Sequence, residues 1–395
     1  MKVEIIRIND NGDGIGYIDG KVIFVPKTIP GDIVLIKDKI DYKNYSYSTK
    51  WEVINSKSCD IKCPYYNLCG GCQIMGLNYD KQLEYKKNKV INIFKKYNKM
   101  DINPMIYGSN QYNYRNKIIL HVKEGKLGLV TYRSHDIVKI DKCLLVSDNI
   151  NNIIMVINNN IDLLNVNKVM IRESTNKDIM VVFYGSVDKD IVIKYLSNLV
   201  KSIYVNDNLI WGRDAIISKL GNYKYEISPK SFFQVNYIGM FNIYNKVLEY
   251  IDNDSRVLDL YCGTGSIGIY VSNRASSILG IEINKGAIDD ANKNKDINNI
   301  DNISFVCGNV DSIIKDNYKY DIVIVDPPRS GLNKKTKDIL LGISSKKIIY
   351  VSCDPITLAR DINYLSVKYD LVDINLVDMF PNTYHVESVC MLERK

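Results

Sequence analysis

The chain has 395 residues, 46% of them hydrophobic, and a net charge of +7, enough for two or three domains with true cores. It contains no run of eighteen apolar residues, so no membrane-spanning helix is expected. The start, Met1-Lys-Val-Glu-Ile-Ile-Arg7, lacks the apolar core of a signal peptide, and a cytoplasmic chain is expected.

Taken in order, residues 2–54 predict a small all-β unit. Short β-leaning runs at 3–8, 15–18, 21–25, 32–40 and 46–54 are separated by the turn signals Asn11-Gly-Asp-Gly14, Asp19-Gly20 and Pro30-Gly31. Five such strands suggest an OB-like barrel, with Gly12, Gly14 and Gly16 grouped at its first turn. Next comes Cys63-Pro-Tyr-Tyr-Asn-Leu-Cys69-Gly-Gly-Cys72. Three thiols in ten residues of a chain with no secretion signal point to a metal or cluster rather than disulfides. A fourth ligand is needed; Cys59 is near and Cys143 distant. Four thiolates suit an iron–sulfur cluster or zinc.

Residues 78–99 predict a basic helix in which Tyr79, Leu83, Val90, Ile93 and Phe94 form an apolar stripe beside a charged face containing Lys86 and Lys87. Over residues 76–145, 14 Lys and Arg stand against 6 Asp and Glu, with Tyr interleaved. That mixture suits phosphates and unstacked bases of RNA, although a solvated basic face gives the same counts. Residues 118–220 alternate strands with turns and one or two helices, an α+β region.

The segment Pro229-Lys-Ser-Phe-Phe-Gln234-Val-Asn236 precedes a helix over 237–251. The run Arg256-Val-Leu-Asp-Leu-Tyr261 then enters a turn with Gly263, Gly265 and Gly268, read as letting the backbone approach a ligand, and a helix begins near Ile267. This G-x-G-x-x-G spacing alone does not separate NAD from another adenosyl ligand. A second strand ends in Glu282, a third precedes Asn309, and a fourth runs Asp321-Ile-Val-Ile-Val-Asp326-Pro-Pro-Arg329. A fifth strand delivers Cys353 in Val351-Ser-Cys-Asp-Pro355, and Glu387 follows Asn382-Thr-Tyr-His385-Val near a last strand. In an open α/β sheet Tyr261, Glu282, Asn309, Asp326 and Cys353 would lie beyond the carboxyl ends of strands, where ligands bind. Cys262, Cys307 and Cys390 read as core fillers.

These motifs resemble those of RNA uracil-5-methyltransferases, over essentially the full chain. The N-terminal glycine and Pro-Gly-Asp32 pattern resembles a TRAM domain, a family that binds RNA, and the cysteine string resembles a [4Fe-4S] motif whose remote ligand matches Cys143. The resemblance implies three parts: a TRAM-like barrel over 1–56, a central RNA-binding α+β region with the cysteine motif over 57–228, and a Rossmann-like class I methyltransferase domain over 229–395. It implies S-adenosyl-L-methionine as cofactor, held by Gln234, Tyr261, Gly263, Glu282, Asn309 and Asp326. It further implies Cys63, Cys69, Cys72 and Cys143 as cluster ligands, with zinc as the alternative. Cys353 matches the family's nucleophile and Glu387 its base. Uracil C5 is a poor nucleophile until a thiolate adds at C6, which accounts for one activated cysteine and one base. Exocyclic-amine enzymes place an aromatic residue where Arg329 stands, and cytosine-5 enzymes carry a second cysteine in the fourth-strand motif; both departures favour uracil. The expected function is C5 methylation of a uridine in RNA, most simply 23S rRNA, by a monomer. The alternatives are tRNA uridine-54 methylation and a catalytically inactive RNA-binding protein.

Overall fold

The computed structural model describes residues 1–314 and 319–395. The first part of the chain forms a six-stranded sheet in the order Lys2–Glu4, Ile33–Asp41, Tyr45–Asn55, Lys21–Val25, Gly14–Ile18, Arg7–Ile8. The run expected as one strand over 3–8 is two. At Ile5 the backbone N–H still bonds Asp32, but at Ile6 it bonds Ile15, so the chain changes partner and folds the sheet back on itself. Val3, Ile5, Ile23, Val25, Val34 and Ile36 fill the interior. Of the three glycines expected at the first turn, only Gly12 is there, at φ +83°. Gly14 and Gly16 lie in the next strand, where a Cβ would come within 2.1 Å of Thr28 Oγ1 and 2.3 Å of Val3 Cγ1.

The region beyond the cysteine string resolves into a seven-stranded sheet ordered Ile137–Lys139, Lys126–Val130, Lys117–Lys123, Val166–Glu173, Ile179–Gly185, Ser202–Val205, Asn208–Gly212. Helices Asp148–Asn160 and Lys189–Leu196 cover it with Ile150, Ile153, Ile154, Ile157, Val192 and Leu196.

The last sheet has eight strands, ordered Ile303–Cys307, Ala275–Glu282, Ser255–Leu260, Ile322–Val325, Lys347–Ser352, Glu387–Arg394, Tyr369–Val377, Met105–Tyr107. The first five are parallel, and Glu387–Arg394 runs antiparallel between its neighbours. The strands Ser255–Leu260 and Ile322–Val325 are buried throughout nearly all their length, as strands covered on both faces must be. The edge strand Met105–Tyr107 was not expected from the sequence. It follows helix Tyr79–Asn98, which packs Val90, Ile93 and Phe94 into the core of this sheet with Leu258, Val323 and Leu358. Each such side chain contributes about 1.5–3 kcal/mol on burial. Asn78 caps the helix start by accepting from Lys81 N–H, and Lys99 ends it in the left-handed region at φ +56°. Lys86 and Lys89 are buried here, so they are not part of a solvated RNA-facing surface as the charge pattern suggested. Cys262 and Cys390 are buried, but Cys307, expected in the core, is exposed at the edge strand. No helix among the described residues is long and apolar enough to cross a membrane.

Candidate active site

The carboxyl ends of the parallel strands form one rim. Strand Ser255–Leu260 leads to Tyr261 at φ +62°, a conformation costly for a residue with a side chain and common where a turn is functional. Tyr261 Oη shares a hydrogen bond with Thr336 Oγ1 at 3.2 Å. Gly263 follows at φ +54°, and a Cβ there would enter open space. The other two glycines serve packing instead. A Cβ on Gly265 would strike Phe305 at 2.4 Å, and one on Gly268 would meet Ile303 at 2.9 Å and Asp259 Oδ2 at 3.0 Å. The expectation that all three face a ligand therefore fails for Gly265 and Gly268, and Gly263 alone has open space over its Cα. Glu282, closing the adjacent strand, accepts from Gly263 N–H at 3.3 Å and from Asn284 N–H at 2.9 Å. Asn309 is exposed two residues past strand Ile303–Cys307 and caps the short helix Val310–Ile313. Gln234 is half-buried, and its carbonyl accepts from Asn116 at 3.0 Å.

Asp259 and Glu387 are buried and Asp326 is half-buried, all on or beside this rim. Burial pushes Asp326 up to about 7. Burial, reinforced by Asp326, pushes Asp259 and Glu387 up to about 8, and for Glu387 the Arg329 guanidinium opposes the rise.

Cys353 leaves the end of strand Lys347–Ser352, half-buried. Asp354 caps the next helix, Pro355–Leu365, by accepting from Ile356 and Thr357 N–H at 3.0 and 2.9 Å. The thiol thus sits at a helix N-terminus, which favours thiolate. Burial, and then the neighbouring Glu387, nonetheless push it up to about 11, with Arg329 again opposing. Ser352 pairs directly with Ser388 across the antiparallel strands, which sets Cys353 and Glu387 side by side at the rim. Cys353, Arg329 and His385 line a pocket of about 120 Å³. His385 stacks near Tyr384, ring centroids 4.1 Å apart, and burial with Arg329 and two lysines depresses it to about 4. Its imidazole is neutral at pH 7.

Two groups in this pocket were invisible in the sequence reading: Asp10 and Asn11, from the loop of the N-terminal barrel. The segment 378–387 that carries Glu387 into place is fixed by a fully buried ion pair between Lys86 and Asp378 and by Lys89, which donates to the Asp10 and Tyr384 carbonyls at 2.7 and 3.2 Å.

Cys63, Cys69, Cys72 and Cys143 line a separate cavity of about 340 Å³. Burial raises the Cys69, Cys72 and Cys143 thiols, and for Cys72 the other three thiols add to the rise. Lys27 of the barrel donates to the Tyr66 and Cys69 carbonyls beside them. Among the described residues no group of three His, Cys, Asp or Glu side chains is gathered as it would be around a single metal ion. Cys59 is exposed and outside the cavity lining.

A family model described as tRNA (uracil-5-)-methyltransferase matches residues 197–395, and one for the TRAM domain matches residues 1–50. The chain is 34% identical to an uncharacterized RNA methyltransferase of Clostridium tetani, over 98% of this chain and 95% of that one. It is 32% identical to another from Caldanaerobacter subterraneus subsp. tengcongensis, over 100% and 98%. Among solved structures it is similar to the tRNA (uracil-54, C5)-methyltransferase of Pyrococcus abyssi in complex with S-adenosyl-L-homocysteine, with a TM-score of 0.83 and 29% identity over 99% of this chain and 100% of that one.

Proposed function

Because the chain belongs to the tRNA (uracil-5-)-methyltransferase family, with an N-terminal TRAM domain and a C-terminal class I methyltransferase domain, and so is an S-adenosyl-L-methionine-dependent RNA methyltransferase of the uracil-5 type, we propose that Cys353 and Glu387 carry its chemistry through a covalent adduct. The observation that carries this reading is the placement of both side chains at the end of one antiparallel strand pair, on the ligand rim of the sheet.

Cys353 Sγ adds to C6 of the uracil, and the electron pair of the C5–C6 bond moves to C5 and O4. S-adenosyl-L-methionine, when bound, supplies an electrophilic methyl group to C5 and leaves as the thioether. Glu387 then takes the C5 proton, the electron pair re-forms the C5–C6 double bond, and Cys353 departs as thiolate. Arg329, which acts electrostatically on both groups, favours their ionised forms. Gly263, with open space over its Cα, together with Tyr261, Glu282, Asn309 and Asp326 on successive strand ends and Gln234 on the preceding segment, would hold the cofactor.

For the four thiols lining this cavity we favour a [4Fe-4S] cluster, with zinc as the alternative. Zinc and a cluster both take four thiolates, and the cluster is preferred on the resemblance of the C-x5-C-G-G-C motif with its remote cysteine. The cluster would staple the TRAM domain to the central sheet through Lys27, since the reaction is not redox.

We favour 23S rRNA as substrate, because this pairing of a TRAM domain with a four-cysteine motif resembles the rRNA-modifying type. The full-length likeness to a tRNA enzyme supports tRNA uridine-54 as the second reading. The test is incubation with cofactor and 5-fluorouridine-substituted transcripts of each RNA. Fluorine cannot leave as a proton, so a covalent protein–RNA complex should persist on 23S rRNA. A complex on tRNA alone would reassign the substrate, and none on either would indicate an inactive RNA-binding protein.

A further inference from the structure

The loop of the TRAM domain between strands Arg7–Ile8 and Gly14–Ile18 reaches the catalytic pocket, and nearly all of it is committed to holding itself there. Asn9 Oδ1 accepts from the backbone N–H groups of Asn11 and Asp13, both at 2.9 Å. Tyr85 donates to the Asn9 carbonyl at 2.8 Å, and Lys89 to that of Asp10. Asp13 receives Tyr132 Oη at 2.8 Å and Arg133 at 3.0 Å. Gly12 lies so close to the cysteine loop that a Cβ would meet Gln73 Cβ at 2.9 Å. The long helix, the central sheet and the cysteine loop therefore clamp the loop from three sides. The side chains of Asp10 and Asn11 are the exceptions: both are exposed and neither has a hydrogen-bond partner among the described residues, but the Asp10 carboxylate can only accept, whereas Asn11 brings a carboxamide. Asn11 lines the Cys353 pocket and also the adjoining cavity of about 750 Å³, which extends past Arg133 and Arg115.

A carboxamide offers one acceptor and two donors. The uracil edge from N3–H to O4 offers one donor and one acceptor, so the two are complementary in a paired arrangement. Holding the base by that edge leaves C5 and C6 free, as attack by Cys353 requires. We propose that Asn11 is a positioning residue for the target uracil, supplied to the methyltransferase site by the TRAM domain. The TRAM domain is then part of the catalytic chamber as well as an RNA-affinity module. A rigid clamp suits this role, because misplacing a reacting group by about 1 Å costs on the order of 100-fold in rate.

The inference rests on the covalent-adduct reading above. The experiment compares wild type and Asn11→Ala on a 5-fluorouridine transcript that the wild type captures, measuring adduct rate at saturating RNA, RNA affinity and binding of S-adenosyl-L-homocysteine. The expected result is a 10- to 100-fold slower adduct rate for Asn11→Ala, with both affinities within about twofold of wild type. A wild-type adduct rate in Asn11→Ala, or a defect confined to RNA affinity, would overturn the assignment. Failure of the wild type itself to form adduct would instead count against the covalent mechanism.

Discussion

Cys353 and Glu387 stand one residue beyond the Ser352–Ser388 pair, so two groups separated by 34 positions in sequence share the end of one antiparallel ladder. Burial, and then the neighbouring Glu387, raise the thiol, which in the proposed reaction must nonetheless become the attacking thiolate. The two roles separate on mutation. Cys353→Ala should form no adduct with natural or fluorinated RNA. Glu387→Gln should add and methylate but fail to remove the C5 proton, accumulating a methylated protein–RNA complex with natural RNA. Denaturing gels of labelled RNA check both, and normal product release by the Glu387 variant would remove it as the base.

The buried acids make a prediction about pH. Asp259, Asp326 and Glu387 rise to about 8, 7 and 8 in the folded protein, all above their unfolded values. Below pH 4 they are protonated in both states. Between pH 4 and 8 the unfolded chain releases their protons and the folded chain keeps them, so their contribution to stability is lost as pH rises through that window. The ligand-free protein should unfold at a lower temperature at pH 8 than at pH 5.5. Glu387→Gln should flatten the trend by on the order of 3 kcal/mol. In the proposed reaction Glu387 acts as base only when ionised, so the turnover of wild type should rise from pH 6 to pH 9. A flat profile in both measurements would contradict the buried-acid account.

Lys86 and Asp378 make an ion pair with both side chains sealed from solvent, and Lys86 also donates to the Phe380 carbonyl at 3.0 Å. Burial holds the Lys86 amine below its ordinary range, with Asp378 opposing the shift. Removing one partner strands the other without water, a loss of about 3–5 kcal/mol. Lys86→Met should therefore lose that much in urea unfolding, whereas Lys86→Met with Asp378→Leu should recover most of it. A single variant within 1 kcal/mol of wild type would show that water reaches the pair.

What could be read in the sequence was what is local. The strand–glycine–helix string around Gly263, the acids Glu282 and Asp326 at two strand ends, and the cysteine delivered by Val351-Ser-Cys353 each sit within ten residues of the pattern that marks them. What escaped depends on distant partners. The strand Met105–Tyr107 is three residues long and exists because Asn375, Leu376 and Val377 offer it an edge. Lys86 and Lys89 look like surface charge until Asp378 and Tyr384 close over them. Asn11 reads as turn punctuation, since nothing near it in the chain announces the pocket about 340 residues away. Even the glycines carried a mixed message, because Gly265 and Gly268 are small to admit Phe305 and Ile303 rather than a ligand.

The cysteine cavity yields the last prediction. Lys27 is buried against the carbonyls of Tyr66 and Cys69, and burial lowers its amine while the thiols of Cys69, Cys72 and Cys63 oppose the shift. A buried cation with no carboxylate partner among the described residues is favoured by negative charge nearby, which thiolates holding the proposed cluster would provide. Protein purified without oxygen should contain about four irons and four sulfides per chain. Cys143→Ala should lose them, and Cys59→Ala, outside the cavity, should keep them. Lys27→Met removes the clasp between the TRAM domain and the cysteine loop while sparing every thiol. It should therefore retain iron at first, lose it faster in air, and expose the segment 56–62 to protease. Zinc in place of iron would reject the cluster, iron retained by Cys143→Ala would reject the ligand set, and unchanged protease resistance in Lys27→Met would reject the clasp.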